Sequence, residues 1–181
     1  MSSAELRLPA VLLTAARVPL IAVGLPLGLG FFSGRPTAKV VQSDWYKNLR
    51  TPPGRPPRQV FPIVWPLLYI SMGYASHLTV RALDNAASPS ARSDLKLALG
   101  LYYTQLGLNF LWTPLFFGAK KTGIALLNIG SLTATTFFMT NLLAAHAPGA
   151  SYMLLPYCLW LSFAAYLNAG IWWLNRREKG E

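Results

Sequence analysis

The stretch Trp45–Ala75 joins a basic, proline-dense connector directly to a long apolar and aromatic run. Lys47, Arg50, Arg55 and Arg58 are set among Pro52, Pro53, Pro56 and Pro57, and after Arg58 no formal charge appears until Arg81. Prolines at that density cannot lie in a buried strand, whose N–H groups must pair, and a soluble helix has no reason to be apolar on every face. A semi-rigid loop on a membrane surface, feeding straight into a transmembrane helix, accounts for both halves.

The rest of the chain agrees. It is 53% hydrophobic and only 12% charged, where a soluble protein carries about a quarter charged residues. Its 181 residues suit a single domain. A net charge of +10 raises nucleic acid as a partner, but the cations sit between apolar runs rather than on one face. That is the pattern of loops flanking membrane spans, so the expected partner is a lipid bilayer and not nucleic acid. The single Cys158 excludes an internal disulfide and reads as a small buried thiol. The first twenty residues make a poor secretory signal, because Arg17 interrupts the apolar run.

A membrane helix needs about 20 predominantly apolar residues. Runs of that kind predict spans over about residues 10–34, 60–81, 95–119, 122–146 and 152–175, with a basic, proline-rich loop over 35–59. The expected fold is therefore an all-α membrane protein, a bundle of five transmembrane helices in one domain over 1–181. Pro19 and Pro26 should kink the first span, with Arg17 snorkelling or turned inward. Gly24/Gly28 and Gly30/Gly34 offer flat spots for a neighbouring helix or, with Gly100 and Gly107, for a homodimer. Arg81–Asp94, Lys120–Lys121 and His146–Ser151 read as turns.

Charge counting supports an odd number of spans. Arg35, Lys39, Lys47, Arg50, Arg55, Arg58, Lys120, Lys121, Arg176, Arg177 and Lys179 fall on one side, against Arg7, Arg81, Arg92 and Lys96 on the other. The positive-inside rule then makes the first loop and the carboxyl terminus cytoplasmic.

Polar residues inside spans are the informative ones, since lipid gives them no partner. Gln105 and Asn109 share a face of the third span, followed by Trp112 and Phe116. Trp65 and Tyr69 share a face of the second, with Met72 and Gly73 next round. Trp160, Ala164 and Asn168 recur at four-residue steps on the fifth. Aromatic, amide and small residues on three helices suit a pocket for a flat hydrophobic ligand. They equally suit amides that only bond between helices and tryptophans that only anchor at the interface. Catalytic constellations are thin: there are no paired carboxylates, no metal-ligand spacing, no phosphate loop and no activated serine. His77 is the one histidine inside a span and His146 lies in a turn. No cofactor is required and no catalytic residue is assigned.

Trp45-Tyr46, Pro56-Pro57, Val64-Trp65, Leu68-Tyr69 and Met72-Gly73-Tyr74 occur in order, followed by Gln105, Asn109, Trp112 and Phe116-Phe117-Gly118-Ala119. Pro156-Tyr157, Trp160, Phe163-Ala164 and Leu167-Asn168 complete the set. Together these landmarks resemble the TspO/MBR family of translocator and benzodiazepine-receptor-type membrane proteins, over residues 45 to about 175. The resemblance implies a five-helix bundle, often dimeric, with a pocket inside the bundle that opens towards the first loop. Its ligands would be porphyrins such as protoporphyrin IX, haem, sterols and synthetic isoquinolines or benzodiazepines. The matching pocket positions are Tyr46 as a loop lid; Trp65, Tyr69 and Trp160 as aromatic walls; Gln105 and Asn109 as amides; and Phe163 and Ala164. Trp112 and Asn168 join them from the stripes read above.

Two alternatives to a receptor or transporter stay open. One is a light-dependent, porphyrin-degrading enzyme using Trp65 and Trp160; the other is a scaffold recruiting partners through the basic loop. The chain departs from the family at Gly54, where an aromatic is common, at Asn128, where an acid is common, and in lacking the sterol motif of the last span. The resemblance favours the mitochondrial outer membrane, with the endoplasmic reticulum or a bacterial membrane as alternatives.

Overall fold

The computed structural model describes residues 8–176 as an all-helical chain with no strand among them. Arg7, Arg177 and Lys179, counted above, lie outside the described residues. Seven α-helices follow in order: α1 Ala10–Arg17, α2 Pro19–Val40, α3 Asp44–Lys47, α4 Phe61–Asn85, α5 Pro89–Thr113, α6 Thr122–His146 and α7 Pro148–Asn175. A 3-10 turn at Arg58–Val60 leads into α4, and a π turn at Pro114–Gly118 closes α5.

Five of these helices are long, and they alternate in direction. Close contacts of Gly73 with Ala22 and Val23, and of Gly30 with Tyr69, show α2 antiparallel to α4. Tyr69 meets Asn109, and Met72 meets Gln105, so α5 runs back beside α4. Thr140 reaches Cys158 and Thr122 reaches Asn168 across an antiparallel α6–α7 pair.

The molecule buries amides within its apolar core and exposes large apolar side chains on its outside. Gln105 is 0% exposed and Asn168 1%, whereas Leu20, Leu127 and Leu159 are 82%, 74% and 73% exposed. Water would reward the opposite arrangement; a bilayer rewards this one. Helices α6 and α7 are long and apolar enough to cross a membrane, and α1 with α2 adds a third if the bent pair is one broken span. At 25 residues α6 is about 37 Å long, enough for a hydrocarbon core of about 30 Å. Helices α4 and α5 are of equal length, but their apolar character is diluted by Ser76, His77, Gln105 and Asn109, all buried.

Several expected boundaries are corrected. The first apolar run is not one kinked helix: α1 and α2 meet at 104°. Val18 is extended (φ −95°, ψ 109°), as a residue before proline is driven to be. Pro19 therefore opens α2 at its first turn, where its missing N–H costs nothing. Pro26 and Pro36 are carried inside α2, which runs on to Val40 and takes in the first residues of the expected 35–59 loop. Arg17 neither snorkels nor turns inward; it donates to Asp84 on α4 at 2.8 and 3.0 Å. The Arg81–Asp94 connector shrinks to three residues, because α4 continues to Asn85 and Pro89 starts α5. The His146–Ser151 turn shrinks to Ala147, with Pro148 in the first turn of α7. The α-helical part of the third span stops at Thr113, and Lys120 makes the turn into α6 with φ 56°.

Only one of the four glycines singled out on α2 meets a neighbour. A Cβ on Gly30 would strike the Tyr69 ring, while Gly24, Gly28 and Gly34 have nothing within 4 Å, and neither has Gly107. The closest backbone approach is made by Gly73 instead, where an added Cβ would collide with the Ala22 carbonyl.

Candidate functional site

At the centre of the bundle four side chains from three helices form one chain of hydrogen bonds. Tyr69 on α4 donates its hydroxyl to Asn109 Oδ1 at 2.9 Å. Asn109 Nδ2 donates to the Tyr157 hydroxyl on α7 at 2.8 Å, and that hydroxyl donates to Gln105 Oε1 at 2.9 Å. Gln105 Nε2 points to Met72 Sδ at 3.7 Å. All of these groups are buried, and polar groups in a low-dielectric interior hold together because separation would strand them. The four-residue step from Gln105 to Asn109 puts both amides on the face of α5 that looks at α4 and α7.

A second link lies about one turn beyond Asn109 on α5 and about three turns beyond Tyr157 on α7. Trp112 Nε1 donates to Asn168 Oδ1 at 2.9 Å, and Asn168 Nδ2 donates to the Thr122 carbonyl at 2.9 Å. Asn168 thereby joins α5, α7 and the first residue of α6. Gln105, Asn109 and Asn168 thus each take part in bonds between helices.

Tyr46 sits in α3 and belongs to a separate aromatic cluster. Its ring lies 5.8 Å from Phe117, Trp45 lies 6.1 Å from Phe116, and Trp112 stacks on Phe116 at 4.8 Å. The Arg55 and Arg58 guanidiniums stand 4.8 and 5.8 Å from the Tyr46 ring centre, and Lys120 stands 5.4 Å from that of Trp45. Ser43 caps this short helix by accepting from the Tyr46 N–H. The loop is clasped to α7: Asn175 Oδ1 accepts from the Arg50 N–H at 3.0 Å and Asn175 Nδ2 donates to the Arg50 carbonyl at 2.9 Å. Tyr166 donates its hydroxyl to the Pro53 carbonyl at 3.0 Å, and a Cβ on Gly170 would meet Pro52 at 2.5 Å.

A groove of about 440 Å³ opens at the α4–α7 seam, lined by Val64, Leu67, Leu68, Pro156, Leu159, Trp160 and Phe163. Two of the expected site residues, Trp160 and Phe163, form its aromatic wall, their rings 5.9 Å apart. Phe61 meets Trp160 edge-on at 5.8 Å. The Trp160 indole N–H is buried without a hydrogen-bond partner. Trp65 does not line this groove; it packs on Tyr69 at 5.6 Å, and Tyr69 stacks on Phe110 at 5.8 Å. Ala164 packs against the main core.

The structure thus gathers Tyr69, Gln105 and Asn109 at the centre, Trp112 with Asn168, and Trp160 with Phe163, and keeps Tyr46 at the loop end. Tyr157, the hub of the central network, is among the sequence landmarks but not among the site residues predicted from sequence. It stands three positions before Trp160 and extends the Trp160–Ala164–Asn168 stripe by one turn, which was the available signal. The two histidines are accounted for structurally. His77 Nδ1 is 3.0 Å from the Ala16 carbonyl, and His146 Nε2 is 2.9 Å from Asp94 Oδ2. Among the described residues no group of three metal-ligating side chains occurs.

The comparisons with known proteins agree with this architecture. The TspO/MBR family matches residues 22–174. A translocator protein homolog of Schizosaccharomyces pombe is 38% identical over 151 residues, covering 83% of this chain and 88% of its own. The translocator protein of Bos taurus is 35% identical over 162 residues, covering 88% and 91%. The tryptophan-rich protein TspO of Archaeoglobus fulgidus is 36% identical over 149 residues, covering 82% and 91%. With an all-helical bundle, an apolar exterior and matches across nearly its whole length, the chain is an integral membrane protein that belongs to the TspO/MBR family.

Proposed function

We propose that this protein crosses the membrane five times, through α2, α4, α5, α6 and α7, and binds a flat lipophilic ligand of the tetrapyrrole class. Protoporphyrin IX or haem would be held for transport or homeostasis. The supporting observation is the α4–α7 groove, with a volume inside the range of ordinary ligand sites. Its walls are aliphatic and aromatic, and the buried Trp160 N–H beside them lacks an acceptor. A turn of the Trp160 ring that brought this N–H to a ligand acceptor would recover the hydrogen bond the protein itself leaves unmade. Gln105, Asn109 and Tyr157 bond one another, so their part in this reading is to fix the spacing of α4, α5 and α7 behind the groove. The basic first loop would lie on the cytoplasmic face.

The test is titration of the purified chain in detergent with protoporphyrin IX, followed by tryptophan fluorescence. Saturable quenching is expected, weakened about tenfold by Trp160→Phe, the factor that corresponds to losing about 1.4 kcal/mol. Quenching that never saturates sinks the proposal.

A further inference from the structure

Helices α2 and α7 carry the same arrangement at the same end of the bundle. Phe31-Phe32 is followed after two residues by Arg35, and Trp172-Trp173 after two residues by Arg176. Both helices run antiparallel to α4: Gly30 meets Tyr69 and Ala22 meets Gly73 on one side, and Trp160 meets Phe61 and Met153 meets Ser71 on the other. Their last turns therefore lie with the first loop. Each guanidinium folds back over its aromatic pair. Arg35 stands 4.8 and 5.7 Å from the ring centres of Phe31 and Phe32, and Arg176 stands 3.4 and 5.6 Å from those of Trp173 and Trp172. Phe31, Phe32 and Trp173 are exposed, as are both arginines. On a membrane-crossing helix an exposed aromatic pair near the end sits where hydrocarbon gives way to headgroups. A cation steadied on that pair is held at headgroup depth.

A ring attracts a cation but offers its N–H donors no oxygen. Carboxylates are scarce nearby: over residues 31–60 Asp44 is the one acid against six cations, and Lys39 follows Arg35 one turn on, along the same face. The opposite end of the bundle differs, since Arg17 is bonded to Asp84 there and His146 lies 2.9 Å from Asp94. We infer that the two aromatic–arginine ends are docking points for the headgroups of anionic phospholipids. The α2 end is the stronger, because Glu178 and Glu181 follow Arg176 in the sequence. The guanidinium fork matches two phosphate oxygens. A headgroup with net negative charge is preferred over a zwitterionic one, whose ammonium the neighbouring cations repel. The acyl chains lie along the exposed Leu25 and Leu29 of α2. The aromatic pairs act as positioning residues. This inference rests on the reading of α2 and α7 as membrane-crossing helices and not on the ligand proposed for the groove.

The experiment titrates the full chain in detergent with phosphatidylglycerol and, separately, with phosphatidylcholine of the same acyl chains, counting bound lipids by native mass spectrometry. Phosphatidylglycerol is expected to bind about fivefold more tightly, with the gap narrowing in high ammonium acetate. Arg35→Gln with Lys39→Gln should close most of the gap, and adding Arg176→Gln should close the rest. Arg81→Gln with Lys96→Gln, an equal loss of charge at the opposite end, should leave it open. Phe31→Leu with Phe32→Leu keeps every charge and should still narrow the gap, which a merely diffuse electrostatic attraction would not do. Equal binding of the two lipids by the wild type overturns the inference while the membrane-crossing reading stands. So does a gap that survives the triple substitution, or one that closes equally in the control pair. A gap unchanged in the leucine variant overturns the part given to the rings. Retention of neither lipid overturns the inference and the placing of these helix ends at the bilayer surface together.

Discussion

Asn109 and Tyr157 meet amide to phenol at 2.8 Å across α5 and α7, and each is bonded onward, to Tyr69 and to Gln105. One phenol thus satisfies two amides, and no member can be deleted without stranding another. Tyr157→Phe should lower thermal stability in detergent by about 1–2 kcal/mol, since it leaves buried amide groups unpaired. In a double-mutant cycle with Asn109→Leu the two losses should be clearly non-additive. Additive losses would mean that the contact carries no coupling.

Glycine substitutions on the α2–α4 contact should separate packing from composition. Gly73→Ala places a methyl group against the Ala22 carbonyl and 2.8 Å from Val23 Cα. The obstacle is backbone, which cannot rotate away, so a loss of about 1–3 kcal/mol is expected, as for overpacking generally. Gly24→Ala and Gly28→Ala meet nothing and should melt at or slightly above the wild-type temperature. Equal effects at all three positions would contradict the close approach.

Asp84 stands beyond the expected 60–81 span and anchors α1 through Arg17. The hydrogen bond from Arg17 holds its carboxyl below the ordinary aspartate range, against a smaller opposing effect of burial. A depressed folded value means the contribution is present above the unfolded aspartate pKa, about 3.9, and is lost as pH falls through the folded value. Protection of the α1 amides, taken relative to the intrinsic exchange rate at each pH, should therefore fall on acidification below that range and fall at neutral pH in Asp84→Asn. Both side chains are almost half exposed, so the effect should also shrink in high salt. Protection of α1 insensitive to pH and to Asp84→Asn would remove the anchor.

The loop clasp should be local. Asn175→Ala deletes two hydrogen bonds to the Arg50 backbone, and Gly170→Ala displaces Pro52. Each should speed hydrogen exchange at the Leu49, Arg50 and Thr51 amides by an order of magnitude or more, with little change in the melting of the bundle, because open surface segments unfold locally at low cost. A cooperative loss of the whole fold would show instead that the loop is part of the core.

What the sequence determined by itself is the solvent of the fold and its coarse plan. Scarce charge, apolar runs divided by cationic loops, and amides repeating at helical spacing all follow from lipid excluding charge and from the 3.6-residue period. Those constraints act residue by residue, so they can be read without coordinates, as Gln105–Asn109 and Trp160–Asn168 show. What only the tertiary structure decided is where those faces point relative to one another. Which phenol Asn109 reaches, whether Gly30 or Gly28 meets a neighbour, and whether Arg17 finds lipid or Asp84 depend on helix rotation and on the break at Val18. Rotation is set by contacts between residues far apart in the chain, such as Gly73 with Ala22 and Asn168 with Thr122. A local pattern carries no record of those distant partners.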